Sequence, residues 1–183
     1  MISKLFMSKE GLVIVYTGGG KGKTTAALGI VLRAVGYGKK ICMIQFIKGS
    51  WHYGEMYSSK RLEPEFEMVA VGKGFVGIID DKSSKQEHEM VAKEALKISL
   101  EKIQSRKYDV IILDEVNYAI KLGLVKTEDV LGLIEAKPAK LDLVLTGNHA
   151  REEVINVADL VTEMKEIKHP FKQGIKAKKG IDF

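Results

Sequence analysis

Short apolar runs alternate with longer amphipathic stretches along the chain. The first run, residues 11–17, is β-branched and continuously apolar, and residues 40–47 repeat the pattern. Such runs are typical of strands that are covered on both faces. Six strands are predicted in all, at residues 11–17, 40–47, 66–71, 109–114, 141–146 and 160–167.

Helical patterns separate these runs. Residues 84–106 carry Val91, Ala95 and Ile98 at helical spacing, with charges on the opposite face. Thr127 is the predicted N-cap of a helix over 127–136, which ends before Pro138. Further helices are predicted at 24–35 and 151–157, and the polar segment 51–62 is predicted to be a loop with a short helix.

The alternation of strands and helices favours an α/β fold with a mainly parallel sheet of about six strands and helices on both faces. Nothing in the composition divides residues 1–183, so one domain is expected, with residues of about 1–10 and 170–183 flexible or loop-like. In such sheets ligands bind at the carboxyl ends of the strands, where the loops after Thr17, Ile47, Val71, Asp114 and Thr146 would gather.

Composition narrows the class of protein further. The chain is 45% hydrophobic and 29% charged, as in an ordinary soluble globule. Its apolar runs are far shorter than the ~20 residues of a membrane helix, and a signal-peptide pattern is lacking, so a cytoplasmic protein without membrane contact is expected. The net charge of +5 suits a triphosphate ligand, and no nucleic acid partner is expected. Cys42, the one cysteine, is predicted to be a buried hydrophobe.

A glycine-rich loop follows the first predicted strand. Gly22-Lys23-Thr24 completes the P-loop pattern G-x-x-x-x-G-K-[ST], with Thr17 where the first glycine usually stands. Glycines let backbone N–H groups turn toward phosphate, and the following helix adds the positive end of its dipole. Lys23 is predicted to bridge phosphate oxygens and Thr24 to offer its hydroxyl to Mg²⁺; these two are the predicted catalytic residues. The predicted ATP-binding residues are Thr17, Gly18, Gly19, Gly20, Lys21, Gly22, Lys23, Thr24 and Thr25.

Two acids close the fourth predicted strand. Asp114 and Glu115 stand where P-loop proteins carry the Walker B acid, so they join Thr24 as predicted magnesium ligands. These features define a RecA-like P-loop domain. They fit an ATPase, a kinase or an adenylyl or adenosyl transferase equally well, because the phosphate site does not choose among reactions.

Further segments distinguish these possibilities. The chain resembles the corrinoid adenosyltransferases of the ATP:cob(I)alamin type, used in vitamin B12 metabolism, over nearly its whole length. The resemblance lies in VYTGGGKGKTTAALG (15–29), QFIKG (45–49) with Trp51, Gly54 and Glu55, LDE (113–115) followed by Gly123-Leu124, ADLVTEM (158–164), and the tail KHPF (168–171), GIKA (174–177) and GIDF (180–183).

The resemblance implies transfer of the 5′-deoxyadenosyl group of ATP to the Co(I) centre of a corrinoid, cobalamin or a cobyrinic acid a,c-diamide, with release of triphosphate. It also implies a flavin-type reductant, a homodimer and a nucleotide that lies reversed in the loop. The implied corrinoid-binding residues are Phe75, Trp51, Glu55 and His169.

The chain departs from the family pattern at three positions: Gly77 stands where the family has Trp, Gly19 replaces the usual Asn, and Asn148 replaces a frequent Arg. His52, His88, His149 and His169 are too scattered for a metal cluster and are predicted to be surface or loop residues. The alternative function is a P-loop ATPase or nucleotide switch that acts through a partner protein, which the scarcity of arginine and the specific tail disfavour.

Overall fold

The fold is built on one parallel sheet. The structure is a computed structural model that describes residues 10–47, 53–72 and 84–182. Its six strands run in the order β3-β2-β4-β5-β1-β6, and all neighbouring pairs are parallel. All the carboxyl ends therefore lie at one edge of the sheet. The strands are β1 Val13–Thr17, β2 Ile41–Gln45, β3 Phe66–Ala70, β4 Val110–Asp114, β5 Asp142–Thr146 and β6 Leu160–Glu163.

Helices cover both faces of this sheet. Ala27 and Val31 of α1 pack on one face with Met43, Ile112 and Val144, and the other described helices with buried apolar residues pack mainly on the opposite face. Successive residues of the central strands point to opposite faces of the sheet and pack in the two different cores. Both faces are therefore buried, which explains why these strands are apolar throughout. The helices are α1 Lys23–Val35, α2 Gly54–Arg61, α3 Lys85–Gln104, α4 Val116–Lys121, α5 Thr127–Glu135 and α6 Glu152–Asn156, followed by a 3-10 helix at Pro170–Gln173.

The predicted α/β fold is confirmed, with its six strands. Residue Ser84 caps α3 as a capping box: its hydroxyl accepts from the Glu87 N–H at 3.3 Å, and the Glu87 carboxylate accepts from the Ser84 N–H at 2.8 Å. Cys42 is fully buried as predicted, and burial raises the pKa of its thiol to about 12. No helix in the described part of the chain is long and apolar enough to cross a membrane.

Several local predictions were wrong. Thr127 is the first residue of α5 and Lys126 is its N-cap, because the Asp129 carboxylate accepts from the Lys126 N–H at 3.3 Å. His88 is buried on α3, on the same face as Ala92, Ala95 and Ser99, instead of lying at the surface. Helix α4 was not predicted, because its six residues are too few to show a helical repeat.

Candidate active site

The glycine-rich loop wraps around the ammonium group of Lys23. Lys23 Nζ donates to the carbonyl oxygens of Gly18 at 2.9 Å and Gly20 at 2.7 Å. Gly18 and Gly22 have φ angles of 95° and 110°, in the left-handed region that favours glycine. Helix α1 begins at Lys23 directly after this turn, so its N-terminal N–H groups and positive dipole end face the loop. This arrangement suits a polyphosphate.

The other side of the loop packs closely against the chain that follows β6. The Gly20 N–H donates to the Met164 carbonyl at 2.6 Å, and the Met164 N–H donates to the Thr17 carbonyl at 2.7 Å. A Cβ atom at Gly20 would lie 2.7 Å from the Met164 oxygen, whereas one at Gly19 would meet nothing within 4 Å. Glycine is therefore required at position 20 by packing, and position 19 is open.

Thr17, which stands in place of the first motif glycine, has a structural role. Its hydroxyl accepts from the Ala150 N–H at 3.0 Å, so it joins the start of the P-loop to the segment between β5 and α6. Asn148, the residue found where the family often has Arg, belongs to the same segment and is half-buried. The threonine thus ties the phosphate loop to a neighbouring loop at the carboxyl edge.

A buried carboxylate lies at the end of β4. Asp114 is fully buried, and its Oδ1 accepts from the hydroxyls of Thr24 at 2.9 Å and Thr146 at 2.7 Å. Its Oδ2 accepts from the Gln45 amide at 3.1 Å. The Thr146 hydroxyl in turn accepts from the Glu115 N–H at 2.9 Å, and Glu115 adopts a left-handed φ of 64° as the N-cap of α4. The sheet thus brings together the predicted residues Thr24, Asp114 and Glu115.

Gln45 and Thr146 are members of this network that sequence reasoning missed. Each is the last residue of a strand, β2 and β5, on either side of β4. A polar residue that ends an apolar strand next to a Walker B strand is the feature that identifies both. They matter because they satisfy a buried carboxylate whose charge would otherwise be costly to bury.

The electrostatics of Lys23 reflect its enclosure. Burial lowers the pKa of its ammonium, while the nearby carboxylates of Glu115 and Asp114 act in the opposite direction without cancelling the effect. A partly desolvated cation interacts more strongly with phosphate than one in water does. Lys23 thus provides a partly desolvated positive charge inside the loop.

A cavity of about 680 Å³ opens beside the loop. Its lining combines polar P-loop residues with apolar side chains of α1 and with Leu62 and Phe66, so it offers partners for phosphate as well as apolar walls. Glu55 and Ser58 of α2 line the same space. The remaining lining residues are Lys21, Gly22, Lys23, Thr24, Thr25, Leu28, Val31, Leu32, Tyr53, Gly54, Glu115, Gly180, Ile181 and Asp182.

Of the described residues that are expected to bind the corrinoid, Glu55 lines the cavity and His169 does not. Glu55 is half-buried in the cavity beside the P-loop. His169 is not among the residues that line the cavity; its Nδ1 accepts from the Phe171 N–H at 3.1 Å at the start of the 3-10 helix. Trp51, Phe75 and Gly77 lie outside the described residues.

The parallel sheet, the P-loop between β1 and α1 and the acid at the end of β4 define a RecA-like P-loop nucleotide-binding domain. The chain is similar in fold to the flagellar accessory protein FlaH from Methanocaldococcus jannaschii, with a TM-score of 0.58 and 15% sequence identity over 85% of this chain and 71% of that one. At this level of identity the likeness concerns the fold alone.

Sequence comparison identifies the family. The model of the ATP:corrinoid adenosyltransferases BtuR/CobO/CobP matches residues 9–183. The chain is 38% identical to the corrinoid adenosyltransferase of Pseudomonas aeruginosa over 175 residues, covering 96% of this chain and 85% of the relative. It is 34% identical to that of Escherichia coli K12 over 178 residues, covering 96% and 87%. The chain belongs to the ATP:corrinoid adenosyltransferase family.

Proposed function

We propose that the chain transfers the 5′-deoxyadenosyl group of ATP to the Co(I) centre of a reduced corrinoid and releases intact triphosphate. The observation that carries this proposal is the common cavity, in which residues 21–25 of the P-loop and Glu115 adjoin apolar side chains able to contact a nucleoside. Among the described residues that line it, none is a cysteine or a histidine. This suits a reaction whose nucleophile is the cobalt itself rather than an activated side chain.

The chemical step requires positioning and charge stabilisation. The electron pair of Co(I) forms the bond to C5′, the C5′–O5′ bond breaks, and its electron pair leaves with the triphosphate while cobalt becomes formally Co(III). Negative charge therefore builds on the triphosphate oxygen in the transition state. Lys23 and the N–H groups of the loop are the residues that would stabilise this charge, and the rigid loop would hold the triphosphate in line with the attacking cobalt.

The site also fits Mg²⁺. Thr24 and Glu115 line the cavity and offer oxygen, the ligand that Mg²⁺ prefers, and the buried Asp114 carboxylate lies behind them, where it accepts from the Thr24 hydroxyl at 2.9 Å. No cluster of three or more His, Cys, Asp or Glu side chains suited to a metal occurs among the described residues, so phosphate oxygens would complete the coordination. When bound, Mg²⁺ would neutralise charge on the triphosphate.

We propose that four residues contact the corrinoid. Glu55 shares the cavity with residues 21–25 of the P-loop, which supports a role for it beside the nucleotide. Roles for Trp51, Phe75 and His169 in binding the corrinoid are supported by the resemblance of their segments to the family. A homodimer, a flavin-type reductant and a cytoplasmic location are proposed on the same basis.

An anaerobic assay with ATP, Mg²⁺ and chemically reduced cobalamin tests the proposal. The wild-type chain should form a light-sensitive alkylated corrinoid, detectable from its visible spectrum before and after illumination. Lys23→Ala should lower the rate by about 100-fold or more, because a preorganised cation at the leaving group is lost. Its free energy of unfolding should stay within about 1 kcal/mol of wild type, since the side chain is partly exposed.

Lys97→Ala, on the exposed face of α3, is the matched control and should leave the rate unchanged. Retained transfer by Lys23→Ala would show that the triphosphate is held elsewhere. ATP turnover by the wild-type chain without any alkylated corrinoid would favour the ATPase or nucleotide-switch alternative.

A further inference from the structure

The end of the described chain contacts the P-loop directly. Asp182 Oδ1 accepts from Lys21 Nζ in an ion pair, and Asp182 Oδ2 accepts from the Lys178 N–H at 2.7 Å. Gly180, Ile181 and Asp182 line the same cavity as residues 21–25. A carboxylate from the C-terminal segment is thus paired with a lysine inside the motif that would bind triphosphate.

Local structure holds this carboxylate in place. The N–H groups of Ile181 and Asp182 donate to the Lys178 carbonyl at 3.1 and 2.8 Å, and Gly180 takes a left-handed φ of 80° within that turn. Upstream, Met164 is hydrogen-bonded to the P-loop, and an ion pair joins Glu166 to Lys172. The segment after β6 therefore runs from one contact with the loop at Met164 to a second at Asp182.

The ion pair changes the charge that the loop presents. Hydrogen bonds from Lys21 and from the Lys178 N–H hold the pKa of Asp182 below its usual range, so the carboxylate is charged at neutral pH. The side chain of Lys21 remains 50% exposed and that of Asp182 only 14%. An incoming polyphosphate can therefore reach Lys21, but it meets a lysine whose charge is already partly neutralised.

We infer that Asp182 is a tethered competitor of the triphosphate group for Lys21. The inference rests on the proposed function, in which triphosphate occupies the P-loop. Bound triphosphate would repel the carboxylate and take its place beside Lys21. After the adenosyl group has left, return of the carboxylate to Lys21 would weaken the hold on the triphosphate product and speed its release. A competitor on the same chain acts at high effective concentration, so one carboxylate suffices.

Binding of Mg²⁺-tripolyphosphate, measured by isothermal titration calorimetry, tests this without any need for transfer activity. Asp182→Asn should tighten binding by about two- to five-fold, because ion pairs at an exposed lysine are weak. Lys21→Ala should weaken binding. In the Lys21→Ala background, Asp182→Asn should have less than half of its effect on the logarithm of Kd, because only long-range repulsion remains.

The matched control is Glu94→Gln, which removes an exposed carboxylate of α3 outside the cavity lining and should leave Kd unchanged. An unchanged or weaker Kd for Asp182→Asn would overturn the inference. Equal tightening in both backgrounds would also overturn it, since Asp182 would then act as a general negative charge and not through Lys21. Failure of the wild-type chain to bind tripolyphosphate would contradict the proposed function itself.

Discussion

The glycines of the P-loop differ in the space available for a side chain. Gly20 lies against the backbone of Met164 and Lys165, with ideal Cβ distances of 2.7 and 2.8 Å, while Gly19 faces open space. Backbone atoms cannot move aside as the end of a flexible side chain can. The loop thus has one position where a side chain is excluded and a neighbouring position where it is tolerated.

We expect Gly20→Ala to lower the free energy of unfolding by about 1–3 kcal/mol and to weaken ATP binding, because the loop must shift away from Met164. Gly19→Asn, which restores the residue usual in the family, should change stability by less than about 0.5 kcal/mol. Urea unfolding and equilibrium ATP binding measure the two effects. Equal losses from both substitutions would show that the loop is not packed as described.

Local sequence predicted some of the site residues and not others. The roles of Lys23, Thr24 and Asp114 could be proposed because a short motif and a strand end encode them. The Thr17 hydroxyl accepts a hydrogen bond from the Ala150 N–H, and the Asp114 carboxylate accepts hydrogen bonds from Gln45 and Thr146. In each case the partners are distant in the sequence. Only the order of the strands, which a local pattern does not contain, brings them together.

At the scale of elements, a polar cluster fastens α3 to the sheet. The Lys102 ammonium of α3 donates to Glu67 of β3 at 2.6 Å and to the Tyr108 hydroxyl at 3.2 Å, and Tyr108 also donates to Glu67. Burial raises the pKa of Glu67, but the hydrogen bonds from Lys102 and Tyr108 outweigh it and leave the pKa lowered. Burial lowers the pKa of Lys102, but its hydrogen bonds to Glu67 and Tyr108 outweigh this effect and leave the pKa raised.

These shifts give a pH dependence with a definite sign. A lowered folded-state pKa means that the Glu67 contribution is complete above its unfolded pKa of about 4.3 and is lost as pH falls through the folded value. The raised pKa of Lys102 keeps its charge constant over the same range. Glu67→Gln should therefore cost about 1 kcal/mol at pH 7, a modest value because the pair is partly exposed, and less at pH 3.5.

Urea unfolding of wild type and Glu67→Gln at the two pH values measures this difference, with the exposed Glu128→Gln as control. A difference that is independent of pH would contradict the ionic account of the cluster.

Elements as long as α3 were predictable because twenty residues repeat the helical period many times. Helix α4 was not, and the inward position of His88 was missed although its spacing to Ala92, Ala95 and Ser99 marks the buried face.

For the whole molecule, topology decides which parts meet. Strand β5 lies between β1 and β4, so Thr146 stands between the P-loop and Asp114 and hydrogen-bonds to the acid. Strand β6 pairs with β1 at the edge of the sheet and leads the following segment across the loop toward the cavity. The alternating pattern predicted the class of fold, but the closure of the C-terminal segment on Lys21 depends on strand order and could not be predicted.

We propose that the P-loop holds a triphosphate that leaves intact. Phosphorus-31 NMR of a completed anaerobic reaction with ATP, Mg²⁺ and reduced cobalamin identifies the products. We expect one equivalent of tripolyphosphate for each equivalent of alkylated corrinoid, with its terminal and central resonances in a ratio of about two to one and without ADP. ADP with phosphate, or AMP with pyrophosphate, as the stoichiometric products would contradict it.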